Sequence, residues 1–208
     1  MLLIFDLDGT IVDTWEEIKI TFEMVFAKKG IPLDYIKLRM AIGLPLNKVI
    51  EKLIGQEDIK LMQEIRQTFL ALYPRRIKMF DGMREILNIP VKKAILTSKG
   101  EMGTIRDLKY LGIVDKFSII ITADRIKHKK PDPEGIYTIL KKTCEKKENV
   151  FMIGDTEVDI LSAKNAGVNS IAVAWGYRNR EFLKSYNPNF IVTTGKELKA
   201  VLQNHDHL

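Results

Sequence analysis

Six short apolar runs, "LLIF", "VKKAIL", "FSIII", "VFMIG", "SIAVA" and "FIV", recur along the chain, most of them separated by longer stretches with helical spacing. Strands without polar alternation need cover on both faces, which a parallel sheet between two helix layers provides. The intervening segments are amphipathic: Met102, Ile105, Leu108 and Leu111 recur at intervals of three, and Ile136, Ile139 and Leu140 at three and one. Parallel neighbours need crossovers, and crossovers are right-handed. The pattern predicts an α/β fold, a doubly wound Rossmann-like parallel sheet.

One interval departs from that rhythm. From about Thr14 to Met79 no strand signal is present, whereas helical spacing is clear in Trp15, Ile18, Phe22, Val25 and Phe26, and again in Ile59, Met62, Ile65, Phe69 and Leu72. Gly30 and Gly55 read as helix stops, and Pro74 cannot continue the second run. Residues 14–79 are therefore expected to form an all-helical insert, with 1–13 and 80–208 as the core and Phe80-Asp81-Gly82 as the point of re-entry. The tail "HDHL" is expected to be disordered.

A chain of 208 residues that is 46% hydrophobic can bury a core without staples. Its single cysteine, Cys144, excludes an internal disulfide and any multi-cysteine metal site, and suits a reducing compartment. The expected role for Cys144 is that of a small buried or half-buried apolar residue. No apolar run approaches the roughly 18 residues of a spanning helix, and Asp6 stops the apolar start, so a cytoplasmic protein without membrane contact is expected. The net charge of +6 favours an anionic partner. The lysines are dispersed rather than banked into an aromatic-interleaved stripe, which argues against nucleic acid.

In open α/β sheets the working crevice lies beyond the carboxyl ends of the strands. Polar residues that follow the apolar runs fall into four groups: Asp6, Asp8 and Thr10; Thr97 and Ser98; Lys130 in "KKPDP"; and Asp155 and Asp159 in "GDTEVD". Carboxylates converging on one crevice cannot all stay ionised without a cation, and hard oxygen ligands with few other donors favour Mg²⁺. With a lysine and hydroxyl donors added, the set describes a site for a phosphoryl group.

Other readings of these residues are weaker. A calcium loop opened by Asp6 finds Glu17 at its twelfth position but Ile11 where glycine is required at the sixth. Thr97-Ser98 alone would suit a helix cap, Asp132 and Pro133 read as a helix start, and Asp13 reads as a hinge or cap residue. His128, His205 and His207 form no metal set and are expected at the surface.

"DLDGT", "ILTSKG", "KKPDP" and "GDTEVD", in this order, resemble the four motifs of the haloacid dehalogenase superfamily, in particular its phosphatases with a helical cap inserted after the first motif. The resemblance covers essentially the whole chain. It implies that Asp6 is the nucleophile forming an aspartyl-phosphate and that Asp8 is the acid and then the base. It further implies that Asp6, the Asp8 backbone carbonyl and Asp155 hold Mg²⁺, and that Thr97, Ser98 and Lys130 bind the phosphoryl group. Asp159 would support the metal or Lys130 from behind, on the same helical face as Asp155 if a helix has begun there, and Thr10 would brace the loop.

The superfamily holds several chemistries, so the scaffold alone does not fix the reaction. The presence of Asp8 disfavours the dehalogenase branch. Thr10 in place of valine, and Leu46 where β-phosphoglucomutase caps carry arginine, disfavour a mutase. The expected activity is Mg²⁺-dependent hydrolysis of a small phosphorylated metabolite. "RMAIGLPLNKVI" resembles the cap loop of phosphoglycolate phosphatase-like members, so phosphoglycolate leads, with pyrophosphate and sugar phosphates behind. Arg39 or Lys48 could meet a second anionic group, although a solvated helix position suits either better. A monomer or homodimer is expected. From other classes, a receiver-like phospho-acceptor would need neither the insert nor Asp8. A catalytically silent binding module would not need every chemical position filled.

Overall fold

The computed structural model describes residues 1–72 and 77–205, so Pro74 and residues 206–208 of the tail, His207 included, lie outside the described residues. Six parallel strands form one sheet in the order β5-β4-β1-β6-β7-β8. They are β1 (Leu2–Phe5), β4 (Lys92–Leu96), β5 (Ile119–Ile121), β6 (Val150–Gly154), β7 (Asn169–Val173) and β8 (Phe190–Val192), one for each of the six apolar runs. The sheet and its helix layers have the expected doubly wound Rossmann-like architecture.

The alternation of β1 explains its central place. Leu3 and Phe5 enter one fully buried cluster with Ile95 and Ile153, and Leu2 and Ile4 enter another with Ala94, Leu96 and Met152. Both faces of β1 are therefore apolar, as a strand covered on both sides requires. Strand β1 pairs with β4 on one side and β6 on the other, so the connections diverge at its carboxyl end. That divergence opens the crevice. Helices α5 (Met83–Leu87), α6 (Glu101–Tyr110), α7 (Glu134–Thr143), α8 (Glu157–Ala166), α9 (Arg180–Lys184) and α10 (Gly195–His205) complete this part of the chain.

The insert consists of α1 (Trp15–Lys28), α2 (Tyr35–Ala41), α3 (Leu46–Ile54) and α4 (Ile59–Ala71). They share a core of their own, built on Phe22, Val25, Phe26, Leu38, Ile50, Leu61 and Ile65. Asp34 and Asp58 cap α2 and α4 by accepting hydrogen bonds from the Lys37 and Leu61 amides. Ile59, assigned to the apolar stripe by spacing, is instead 68% exposed. It is the first residue of α4, where the stripe has not yet turned inward.

A two-stranded antiparallel ribbon joins insert and core. Here β2 (Val12–Asp13) pairs with β3 (Lys78–Met79), a strand at the end of the interval expected to be wholly helical. Two residues are too few to leave a periodicity. Three further expectations are corrected. Cys144 is exposed, at φ +54° in the left-handed position that ends α7, rather than packed. His205 is half-buried, its ring centroid 5.4 Å from that of Phe151 and 5.1 Å from that of Phe190. Helix α7 starts at Glu134 with Pro133 as its cap residue, while Asp132 accepts the Glu134 amide from one position earlier than a cap normally does.

Candidate active site

The loop after β1 is wound tightly, with the Leu7 carbonyl accepting from the amides of Ile11 and Val12 at 3.0 Å each. Gly9 makes the turn at φ +84°, and a Cβ there would lie 2.3 Å from Asp155 Oδ2. Only glycine admits both that backbone and that approach. Asp6 leaves the strand end in an extended register, its amide bonded to the Ile153 carbonyl of β6.

Four of the expected residues meet in a buried ionic cluster. Lys130 Nζ lies 2.9 Å from Asp6 Oδ1 and 2.6 Å from Asp159 Oδ1. Asp6, Asp155 and Asp159 bring carboxylate oxygens within 4.8 Å of one another. Burial, reinforced by Asp159 and opposed by Lys130, pushes Asp6 up to about 7. Burial and then Asp6 likewise raise Asp155 well above the usual carboxylate range. Burial works against the charge on Lys130, but Asp159 and Asp6 outweigh it and hold the ammonium above its ordinary value. One lysine faces three carboxylates, so the cluster is short of positive charge. Hard, buried and oxygen-only, these donors suit Mg²⁺.

The partners differ in how far they are committed. Asp155 accepts from Thr10 Oγ1 at 3.0 Å and from the Tyr177 amide at 2.8 Å, which fixes the carboxylate with lone pairs to spare and ties the loop after β1 to the end of β6. Asp159 is more fully used: Oδ1 is taken by Lys130, and Oδ2 accepts both the Thr156 amide and Thr156 Oγ1. Helix α8 begins only at Glu157, so Asp159 does not share a helical face with Asp155. It reaches the cluster through the capping box that it forms with Thr156.

Asp8 sits apart from the lysine cluster, where Thr14 Oγ1 and Lys99 Nζ both donate to its Oδ1 at 2.8 Å. Thr14 Oγ1 also lies 2.8 Å from the Tyr177 hydroxyl. Thr14 has one proton and gives it to Asp8, so Tyr177 is the donor in that second bond. Lys99 is in turn held by Asp107 at 2.5 Å. Lys99, Thr14 and Tyr177 escape the sequence reading. Lys99 is in a motif already quoted, and Tyr177 follows β7, a strand end that contributed no residue to the collected set.

The two hydroxyls after β4 point to different tasks. Thr97 Oγ1 accepts the Lys99 amide at 3.1 Å, which leaves its proton for a further acceptor, and the residue lines the cavity with Asp6 and Asp8. Ser98 spends its proton on the Gly43 carbonyl of the insert at 2.8 Å, so its side chain joins insert to core. Arg178 makes the same kind of link, donating to the carbonyls of Arg39, Met40 and Ile42 while pairing with Glu157. Arg39 donates to the Gly176 carbonyl and lies over the Trp15 ring, and Lys48 pairs with Glu51 and Glu57 at the surface.

A buried strand-end aspartate salt-bridged by a lysine, with a second aspartate two residues on and a helical insert overhead, gathers on an α/β core the kinds of group that hydrolysis at a phosphoryl centre calls for. The haloacid dehalogenase-like hydrolase family model matches residues 3–173, and the chain belongs to that family. It is 28% identical over 207 residues to Pyrophosphatase PpaX of Oceanobacillus iheyensis, covering 96% of this chain and 95% of that protein. It is 31% identical over 210 residues to Probable phosphatase IndB of Dickeya dadantii, covering 95% and 91%. A predicted phosphoglycolate phosphatase from Haemophilus somnus superposes with a TM-score of 0.86 over 97% of each chain at 17% identity, a likeness of fold. Among the described residues no helix is long and apolar enough to cross a membrane.

Proposed function

We propose that this chain is a Mg²⁺-dependent phosphatase that hydrolyses small phosphate monoesters through an aspartyl-phosphate on Asp6. The observation that carries the reading is the placement of Asp6: buried, bonded to Lys130 at 2.9 Å, and lining the same cavity as Asp8 and Thr97. A phosphoryl group brought there meets the Lys130 ammonium and the free Thr97 hydroxyl proton, which match the charge that develops on its equatorial oxygens.

In the first step an Asp6 carboxylate oxygen attacks phosphorus, the bond to the ester oxygen breaks, and Asp8 protonates the departing alkoxide. In the second, Asp8 takes a proton from water, the oxygen attacks phosphorus, and the bond to Asp6 breaks to release inorganic phosphate. Thr14 and Lys99 both bind Asp8 Oδ1, which leaves Oδ2 to carry the proton. The carboxylates of Asp6 and Asp155 and the Asp8 carbonyl would hold Mg²⁺, which supplies positive charge to the phosphoryl oxygens. Asp159, whose oxygens are already taken, orients Lys130.

The names of its relatives put pyrophosphate and phosphoglycolate in the substrate panel. The reading is tested by turnover of p-nitrophenyl phosphate with and without Mg²⁺ in wild type and Asp6→Asn. Metal-dependent release of nitrophenol that vanishes in the variant supports it, and unimpaired turnover in Asp6→Asn removes the nucleophile assignment.

A further inference from the structure

Lys99, Gly103 and Asp107 recur at intervals of four, which sets them along one side of α6 and the turn before it. The Asp107 side chain is 0% exposed, at a helical position that an apolar residue would fill at no electrostatic cost. Two cations hold it: Arg106 Nε donates to Oδ1 at 2.7 Å and Lys99 Nζ to Oδ2 at 2.5 Å. Lys99 also reaches Asp8 Oδ1 at 2.8 Å, so two carboxylates and two cations form a charge-balanced chain from Arg106 through Asp107 and Lys99 to Asp8.

The chain is braced along its length. Arg106 donates to the carbonyls of Phe69 and Leu72 at the end of α4, and its guanidinium lies 4.0 Å from the Phe69 ring centroid. The Lys99 ammonium lies 4.6 Å from the same centroid. Gly103 clears a path for the lysine stem, because a Cβ there would lie 3.1 Å from Lys99 Cε and 3.4 Å from Phe69 Cε1. The residue is helical, so space rather than backbone freedom accounts for a glycine that costs α6 about 1 kcal/mol against alanine.

Arg106 alone would neutralise Asp107. The second cation carries the chain on to the cavity floor, where Lys99 and Thr14 both occupy Asp8 Oδ1 and Oδ2 accepts no hydrogen bond from the described residues. We infer that Asp107 is a positioning residue for the reaction: braced by Arg106, it anchors Lys99, and Lys99 holds Asp8 with Oδ2 turned to the leaving oxygen. The role rests on the phosphatase reading. Asp107 does not line the cavity, so it acts through Lys99 and touches neither substrate nor metal. Without it, Lys99 keeps one of its two anchors and follows Asp8 rather than fixing it.

The readout is the dependence of kcat/KM on the leaving group, over p-nitrophenyl, phenyl and p-methoxyphenyl phosphate with Mg²⁺. The three esters are alike in shape, but their phenolates depend increasingly on a proton to depart. A misplaced Asp8 therefore slows the phenyl and methoxyphenyl esters more than the nitrophenyl ester, whereas a smaller folded fraction slows all three alike. Asp107→Asn is expected to lower the ratio of phenyl to p-nitrophenyl efficiency by about tenfold. Gly103→Ala touches no charge and favours the helix, yet it crowds the Lys99 stem, and it is expected to lower the ratio about threefold. It carries the test should Asp107→Asn not fold. An unchanged ratio in Asp107→Asn, or in Gly103→Ala where that variant stands in, overturns the positioning role and leaves the phosphatase reading standing. So does a wild type that hydrolyses the nitrophenyl ester alone, since it has no positioned acid to lose. Absence of turnover on all three esters overturns both.

Discussion

Lys130 Nζ is 2.6 Å from Asp159 Oδ1, in a pair whose side chains are 2% and 1% exposed. So dry a pair is held by its hydrogen bonds: Asp159 is completed by Thr156, and Lys130 by Asp6. Removing the lysine would strand two carboxylates in the interior. Lys130→Met is expected to cost about 3–5 kcal/mol in urea unfolding without Mg²⁺, with turnover reduced on the order of a hundredfold or more. Asp159→Asn keeps the Asp6–Lys130 contact and an acceptor for the capping box, so it should be milder on both readouts. Equal losses in the two variants would contradict the assignment of Asp159 as a support for Lys130.

The raised pKa of Asp6 has a thermodynamic sign. With a folded value of about 7 against 3.8 for the free group, the native state binds more protons than the unfolded chain between those limits. Stability therefore falls as pH rises from about 4 to about 7, and Asp155 acts in the same direction. In metal-free buffer, Asp6→Asn should melt above the wild type at pH 7 and converge with it near pH 4. Added Mg²⁺ should reverse the order at pH 7, because the wild type then gains a bound cation and the variant loses one of its ligands. Melting curves at the two pH values, with and without metal, check both signs.

Much of this was legible in the sequence, and the parts that were not share a cause. All six sheet strands were visible because each is a continuous apolar run, and Asp6, Asp8, Lys130 and Asp155 were visible because they follow such runs. The β2–β3 ribbon is too short to show a period. Lys99 in "TSKG" resembles any lysine near a helix start, and its role depends on Asp107, eight residues away, which nothing local connects to it. Ser98 was expected at the phosphate and instead gives its proton to Gly43, a partner 55 positions away. Phe22 and Ile65 belong to the insert's core and also line the cavity, so apolar spacing alone does not tell which core residues face it.

Arg178 tests how the insert is held down. Its side chain is 1% exposed, pairs with Glu157 on the core, and donates to three carbonyls around the end of α2. Arg178→Ala leaves those acceptors without their donor, and a loss of about 3 kcal/mol is expected in urea unfolding. If the link also keeps the cavity closed over the reacting group, KM should rise together with the fall in stability. Lysine cannot span the same acceptors with one ammonium, so Arg178→Lys should recover only part of either effect.

The relay from Tyr177 through Thr14 to Asp8 yields the most discriminating experiment. Tyr177 donates to Thr14 Oγ1 and Thr14 donates to Asp8 Oδ1, both at 2.8 Å, so the tyrosine can reach Asp8 only through the threonine. Tyr177→Phe and Thr14→Val should each lower kcat by about five- to tenfold, the worth of about one hydrogen bond, with little change in KM. If the two act in series, the double variant should be no slower than Thr14→Val, giving a coupling of about 1 kcal/mol in a double-mutant cycle. Multiplicative losses would mean that Tyr177 contributes by another route. That route would most plainly be the ring, which packs edge-on to Trp15 with centroids 6.4 Å apart at the entrance to the insert.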